Sequence, residues 1–142
     1  MATVEHPHLV RIYSFGTHGD LVYLVMEYVE GGTLRDRLRR AGPMPIEEAV
    51  RIAREVAEAL EAAWEHGIVH RDVKPANVLM DVRGGVHVAD FGLAKSMEAG
   101  ADEVAMTQSG HIVGTPQYLS PEQARGETVD FRSDVYSLGI LL

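Results

Sequence analysis

The longest regular pattern in the sequence is an amphipathic stretch from Ile46 to His66. Apolar residues recur in it at helical spacing, and charged residues such as Glu55 fill the opposite face. Pro45 suits the first position of a helix, and Gly67 suits its C-terminal stop. We therefore predict one long helix that supports the loop after it. Its predicted core-facing residues are Ile46, Val50, Ala53, Ala57, Leu60 and Trp64.

The rest of the chain has the pattern of short strands and short helices. Two β-rich runs, from Leu9 to Phe15 and from Leu21 to Tyr28, flank a polar segment, residues 16–20, that predicts a hairpin turn. Thr33 can cap a short helix that ends near Arg40. Further elements are predicted as strands at Ile68–Val69, Val78–Met80 and Val86–Val88, and as a helix from Ser133 to Leu142.

A polar loop, residues 70–77, follows the long helix and has the sequence HRDVKPAN. Asp90 comes later, after a predicted strand pair that can fold it back beside Asp72 and Asn77. Moving a phosphoryl group between oxygens requires divalent cations, a group that aligns the hydroxyl and a cation on the phosphate. Carboxylate and amide oxygens are suitable ligands for magnesium. The two loops therefore indicate half of a phosphoryl-transfer site.

Composition limits the other classes of function. The net charge is −8 with a pI near 5.3, which argues against nucleic-acid binding. The absence of cysteine excludes disulfides, thiolate catalysis and cysteine-based zinc sites. His66 and His70 are four residues apart, but solvent exposure and packing are better readings of them than zinc binding. With no signal peptide and no apolar run longer than Leu21–Met26, we expect a cytoplasmic chain without a membrane segment.

An ordered set of motifs along nearly the whole chain resembles a eukaryotic-type (Hanks-type) serine/threonine protein kinase, most closely its bacterial branch. The residues 6–10 resemble the turn after the regulatory helix, and the residues 25–29 resemble the hinge. The other matching motifs are HRDVKPAN at 70–77, Asp90-Phe91-Gly92, Gly114-Thr115-Pro116, Ser120-Pro121-Glu122 in place of Ala-Pro-Glu, and residues 134–139. One such motif could arise by chance, but the ordered set makes coincidence very unlikely.

The resemblance implies ATP and Mg²⁺ as cofactors. Asp72 would orient the substrate hydroxyl and accept its proton, and Lys74 would contact the transferred phosphate. Asn77 and Asp90 would hold magnesium. The implied adenine-binding residues are Glu27 and Val29, through their backbones, Met26 as the gatekeeper and Leu79 on the pocket floor.

The resemblance also implies specificity and regulation. Lys74 together with Thr115, a substrate-positioning residue, is similar to serine/threonine rather than tyrosine kinases. Arg71 would pair with a phosphate on the activation segment, where Thr107 and Ser109 are the expected acceptors. The implied partners are protein substrates and a second kinase domain for autophosphorylation. The residues with implied structural roles are His70, Phe91, Gly92, Glu122 and Asp134.

Several parts of the family pattern are missing from these residues. There is no Gly-x-Gly-x-x-Gly, and the only lysines are Lys74 and Lys95. The glutamate that pairs with the strand lysine would fall before Met1. Since a domain of this kind has roughly 250 residues, we expect an incomplete two-lobed α+β kinase fold, with residues 1–29 as the end of the small lobe and hinge, and 30–142 as the first part of the large lobe.

We expect such a fragment to be inactive alone, and its parent could be membrane-anchored. A non-catalytic pseudokinase-like remnant or scaffold module is the alternative, although retention of Asp72, Asn77 and Asp90 argues against it. A small-molecule phosphotransferase that shares these loops is a further alternative. The segment 114–122 argues against that class because it resembles a platform for a peptide substrate.

Overall fold

The computed structural model describes residues 4–91 and 116–142, and within them the chain forms two antiparallel two-stranded sheets and four α-helices. None of these helices is long and apolar enough to cross a bilayer. The strands are β1 (Ile12–His18), β2 (Leu21–Met26), β3 (Val78–Met80) and β4 (Val86–Val88). The helices are α1 (Leu34–Ala41), α2 (Ile46–Trp64), α3 (Pro121–Ala124) and α4 (Phe131–Leu141), and Pro116–Tyr118 forms a 3₁₀ turn. This arrangement confirms the predicted α+β class.

The long helix is confirmed as α2, but its predicted core-facing side was only partly right. Ala53 and Leu60 are buried as predicted, whereas the other four predicted residues are exposed. Ile46 is 77% exposed and Val50 is 58% exposed, whereas Val56 is fully buried. The sequence carries two overlapping apolar stripes, and the one that packs against β4 and the core is rotated from the predicted one. Its buried apolar residues are Ile52, Ala53, Val56, Ala59, Leu60 and Ala63.

Glu55 was predicted on the solvent side of α2, and this was also wrong. It is only 8% exposed, and its Oε2 atom accepts a hydrogen bond from the backbone N–H of Val86 at 3.1 Å. Its Oε1 atom accepts one from Arg51 at 2.7 Å. A buried carboxylate needs such partners, and here they attach the start of β4 to α2.

The β-hairpin is confirmed, but β1 begins three residues later than predicted, at Ile12, and continues to His18. The turn is therefore the pair Gly19-Asp20, and not residues 16–20. Gly19 has φ +59°, which a two-residue hairpin loop requires. The second strand ends at Met26, so Tyr28 lies outside it.

Three other elements differ from the prediction. Ile68–Val69 does not form a strand, because Ile68 instead donates its N–H to Ala63 at the end of α2. The last helix begins earlier than Ser133, because Asp130 caps it by accepting from the N–H of Arg132. The helix α3 was not predicted; its four residues are too few for a periodic signal.

The short helix α1 begins as predicted, with Thr33 as its N-cap. The Thr33 hydroxyl accepts a hydrogen bond from the N–H of Asp36 at 3.1 Å, and Asp36 completes a capping box. The Thr33 hydroxyl also donates a hydrogen bond to the Asp36 carboxylate, and this bond lowers the pKa of Asp36. Just before the cap, a Cβ at Gly31 would collide with the carbonyl oxygen of Met80. Glycine there lets the segment between β2 and α1 lie directly against β3.

Candidate active site

The hairpin β3–β4 brings the two predicted loops together. Val78 pairs with Val88, and the N–H of Ala89 donates to the carbonyl of Asn77 at 2.9 Å. Asn77 therefore directly precedes β3, and Asp90 lies two residues after the end of β4. Asp90 has φ +60° and is exposed. The two proposed magnesium ligands thus lie on the same end of this small sheet.

Asp72 is at the centre of a compact polar cluster. Its Oδ2 atom lies 2.7 Å from Nζ of Lys74 and accepts a hydrogen bond from Nδ2 of Asn77 at 2.9 Å. The same Nδ2 group donates to the backbone carbonyl of Asp72 at 2.8 Å. The carboxylate is half exposed. Its other oxygen accepts no hydrogen bond from residues 4–91 or 116–142, and so it is available to a substrate hydroxyl.

The oxygen ligands of this cluster fit a hard divalent cation. Asn77 is 7% exposed, and because its amide nitrogen faces Asp72, its amide oxygen remains for a metal. Asp90 adds an exposed carboxylate nearby. Within the described parts of the chain, no group of three or more histidine or acidic side chains is placed to bind a metal. Magnesium commonly takes one or two protein carboxylates together with phosphate oxygens and water, so Asn77 and Asp90 suit a site shared with nucleotide phosphates.

The backbone before Asp72 is held by Asp134 from α4. The N–H of His70 donates to Oδ2 of Asp134 at 2.8 Å, and the N–H of Arg71 donates to Oδ1 at 2.7 Å. Asp134 is 5% exposed. Burial pushes the pKa of Asp134 upward, whereas the two backbone donors favour its ionised form. This is the geometry that a role in supporting the loop requires.

His70 is fully buried beneath the loop. Its Nδ1 atom accepts from the N–H of Asp72 at 3.2 Å, and its Nε2 atom lies 3.0 Å from the carbonyl of Ala89. The ring must therefore be neutral with its proton on Nε2. Phe91 packs against it with 4.5 Å between the ring centroids. Both side chains lie in packing positions, as expected from the sequence.

A pH dependence follows from the burial of His70. Burial lowers the pKa of His70 below its ordinary 6.5, although the Asp134 and Asp72 charges oppose this. The folded state then binds fewer protons than the unfolded state below pH 6.5. We expect the free energy of unfolding to fall as the pH drops below that value, by at most about 1.4 kcal/mol per pH unit from this group.

Urea unfolding of the wild-type protein and of a His70→Asn variant between pH 5 and 8 would test this dependence. The difference between the two proteins should grow smaller as the pH falls. His66→Asn is the control, since His66 is exposed at the end of α2. A histidine ring titration by NMR that gives His70 a midpoint above 6.5 would contradict the expectation.

The predicted adenine-binding residues lie around the end of β2. Met26 ends this strand and is 42% exposed. Glu27 donates its N–H to the carbonyl of Arg11 at 2.8 Å. Among the described residues, neither the carbonyl of Glu27 nor the N–H of Val29 has a backbone partner. Leu79 lies in β3 opposite Thr33, so the segment between β2 and α1 runs beside the strand that carries Leu79.

The remaining predicted residues are divided between described and undescribed parts. The side chain of Arg71 is exposed. Glu122 accepts a hydrogen bond from the hydroxyl of Ser133, and this bond lowers the pKa of Glu122. Four predicted residues lie outside the described ranges, namely Gly92, Thr107, Ser109 and Thr115.

Sequence reasoning missed Gln123, a buried residue in α3 whose side chain reaches the carbonyl of Arg71 at 2.7 Å. A signal for it exists, because a serine followed three residues later by glutamine is the capping-box pattern, here at Ser120. That pattern identifies the start of a helix. It does not identify the long-range contact.

Comparisons with known proteins agree with this geometry. A family model described as the protein kinase domain matches residues 1–142. The chain is 48% identical over 145 residues to serine/threonine-protein kinase PknB of Mycobacterium leprae, with 99% of this chain and 23% of that protein covered.

Two further relatives give a similar result. A probable serine/threonine-protein kinase of Clostridium perfringens is 48% identical over 142 residues, which is 100% of this chain and 20% of that protein. Serine/threonine-protein kinase PrkC of Bacillus subtilis is 41% identical over 141 residues, which is 99% of this chain and 21% of that protein. The chain therefore spans less than a quarter of the length of each of these relatives.

Proposed function

The chain belongs to the protein kinase domain family, among the serine/threonine protein kinases, and from this premise we propose that the protein transfers the γ-phosphate of ATP to serine and threonine hydroxyls of proteins. The observation that carries the proposal is the cluster in which Lys74 and Asn77 share one carboxylate oxygen of Asp72. Among the described residues, no group donates a hydrogen bond to the second oxygen, and we assign it to the substrate hydroxyl.

In this proposal each group has a distinct task. Asp72 aligns the substrate hydroxyl and takes its proton, and Lys74 offsets the charge on the phosphate as it moves. Asn77 and Asp90 hold Mg²⁺, which supplies electrostatic stabilisation of the phosphate oxygens. The adenine contacts are the carbonyl of Glu27 and the N–H of Val29, with Met26 and Leu79 as apolar walls.

The proposal assigns these residues only part of the site. We place the end of a small lobe and the hinge in residues 1–29 and the first part of a large lobe in residues 30–142. The 142 residues contain no glycine-rich loop and no lysine before Lys74. These residues by themselves therefore provide no grip on the α- and β-phosphates, and we propose that they are inactive alone.

Regulation and location belong to the same proposal. A phosphate on Thr107 or Ser109, added by a second copy of the kinase domain, would pair with the exposed side chain of Arg71. Thr115 would then position the substrate. The site would work in the cytoplasm, where ATP is available, whether or not the natural protein has a membrane anchor.

The test is a phosphate-transfer assay on the natural full-length protein. It would be incubated with Mg²⁺, ATP labelled in the γ-phosphate, and three peptides that differ only in carrying serine, threonine or tyrosine. We expect label on the serine and threonine peptides and none on tyrosine, and no transfer by the isolated 142 residues. ATP binding without transfer would favour the pseudokinase alternative, and transfer only to small molecules would exclude a protein kinase.

A further inference from the structure

The side chain of Gln123 makes two different hydrogen bonds with its two ends. Its Oε1 atom accepts from the N–H of Ser120 at 3.0 Å, which caps α3. Its Nε2 group donates to the carbonyl of Arg71 at 2.7 Å, across 52 residues of sequence. Gln123 is 9% exposed and Ser120 is fully buried. The first bond is a local cap, but the second links α3 to the loop 70–77, which we call the catalytic loop.

The second bond acts on the peptide unit directly before Asp72. The carbonyl of that unit belongs to Arg71 and accepts from Gln123, and its N–H belongs to Asp72 and donates to Nδ1 of His70 at 3.2 Å. The previous peptide N–H is held by Asp134 at 2.7 Å. Both ends of the Arg71–Asp72 peptide are therefore fixed by buried side chains.

This peptide needs such support because Arg71 has φ +67°. A non-glycine residue in the left-handed region is less stable than in the right-handed region by about 1–2 kcal/mol, and it persists only where its surroundings determine it. If the bond from Gln123 were lost, the part-buried carbonyl of Arg71 would lose this partner. Rotation of the peptide would relieve this and would turn the Asp72 carboxylate away from Lys74.

We propose that Gln123 is a positioning residue that orients the Asp72 carboxylate by holding the carbonyl of Arg71. The proposal rests on the proposed function, since Asp72 is taken as the residue that aligns the substrate hydroxyl. Gln123 touches neither ATP nor substrate. Its effect is confined to the direction in which Asp72 points, so its loss lowers kcat and leaves the affinity for ATP unchanged.

Three variants of the natural full-length protein separate the two bonds. Gln123→Glu keeps an oxygen that can cap Ser120 but directs no N–H donor at Arg71, and Gln123→Leu removes both bonds at similar size. Ser120→Ala removes the hydroxyl that caps the N–H of Gln123 at 3.3 Å and donates to the hydroxyl of Ser133 at 3.1 Å, and it keeps the bond to Arg71. It is the matched control for simple destabilisation of α3.

We expect kcat for peptide phosphorylation to fall about 10–100-fold in both Gln123 variants, because a small misplacement of a reacting group is enough for such a loss. The KM for ATP should stay within about twofold. Ser120→Ala should keep kcat within about twofold, even with a lower melting temperature. Amide hydrogen exchange at Asp72 should accelerate in both Gln123 variants and not in Ser120→Ala.

Two results would overturn the proposal. One is a Gln123→Glu protein with the wild-type kcat and unchanged exchange at Asp72. The other is a Ser120→Ala protein that loses as much kcat as Gln123→Leu, since Gln123 would then serve only the cap. If the wild-type protein transfers no phosphate at all, the proposed function fails. The exchange rate of the Asp72 amide still shows in that case whether Gln123 holds the peptide.

Discussion

Replacing Asp72 by asparagine in the natural full-length protein is expected to lower kcat for peptide phosphorylation by roughly 10²–10⁴-fold. Asparagine has the same shape but cannot take the proton of the substrate hydroxyl. It also weakens the contact with Lys74, which now lies 2.7 Å from a carboxylate oxygen. The measurement is the steady-state rate at saturating Mg²⁺-ATP. The KM for ATP should change little because the proposed role of Asp72 concerns the hydroxyl and not the nucleotide.

Asp81→Asn provides the matched control for this substitution. Asp81 lies in the turn between β3 and β4, where its Oδ1 atom accepts from the N–H of Arg83 at 2.7 Å and of Gly85 at 2.8 Å. The bond from Gly85 is the main reason that the pKa of Asp81 is lowered. This variant removes one carboxylate from the turn of the β3–β4 hairpin without touching the cluster around Asp72, so kcat should stay within about twofold. An Asp72→Asn protein that keeps more than about a tenth of the wild-type kcat would contradict the assigned role.

Local patterns in the sequence were sufficient to predict several elements of the fold. The helical spacing of apolar residues predicted α2, and the hydroxyl of Thr33 predicted the start of α1. Each depends on residues that are close in sequence. The buried side of α2 does not, because it is decided by what packs against it. Glu55 illustrates this, since its partner is the N–H of Val86.

The same division holds for the candidate site. The spacing of Asp72, Asn77 and Asp90 predicted the residues for the chemistry, and the strand pair between them predicted that they meet. The contacts that hold the loop in shape come from distant parts of the chain. Gln123 and Asp134 contact the backbone of Arg71 across 52 and 63 residues. A backbone acceptor or donor has the same chemistry at every position, so no sequence pattern shows which one a distant side chain will bind.

Asp134→Ala is expected to have the largest effect on stability. It removes both acceptors from the N–H groups of His70 and Arg71, at a carboxylate that is 5% exposed and beside the fully buried His70. A buried donor without a partner is unfavourable by about 1–3 kcal/mol, so the two donors together should lower the free energy of unfolding by about 2–6 kcal/mol. Since this is a large part of the stability of a typical domain, about 5–15 kcal/mol, the variant should melt well below the wild type.

The comparison with Asp130→Asn makes this result specific to the catalytic loop. Asp130 caps the same helix, α4, at a partly exposed position, and asparagine is an equally good cap. Asp130→Asn should therefore change the free energy of unfolding by less than about 0.5 kcal/mol. Urea unfolding of both variants measures the difference. If Asp134→Ala were as stable as Asp130→Asn, water or another hydrogen-bond acceptor would have to reach the two N–H groups. Asp134 could then not be what holds Arg71 at its positive φ.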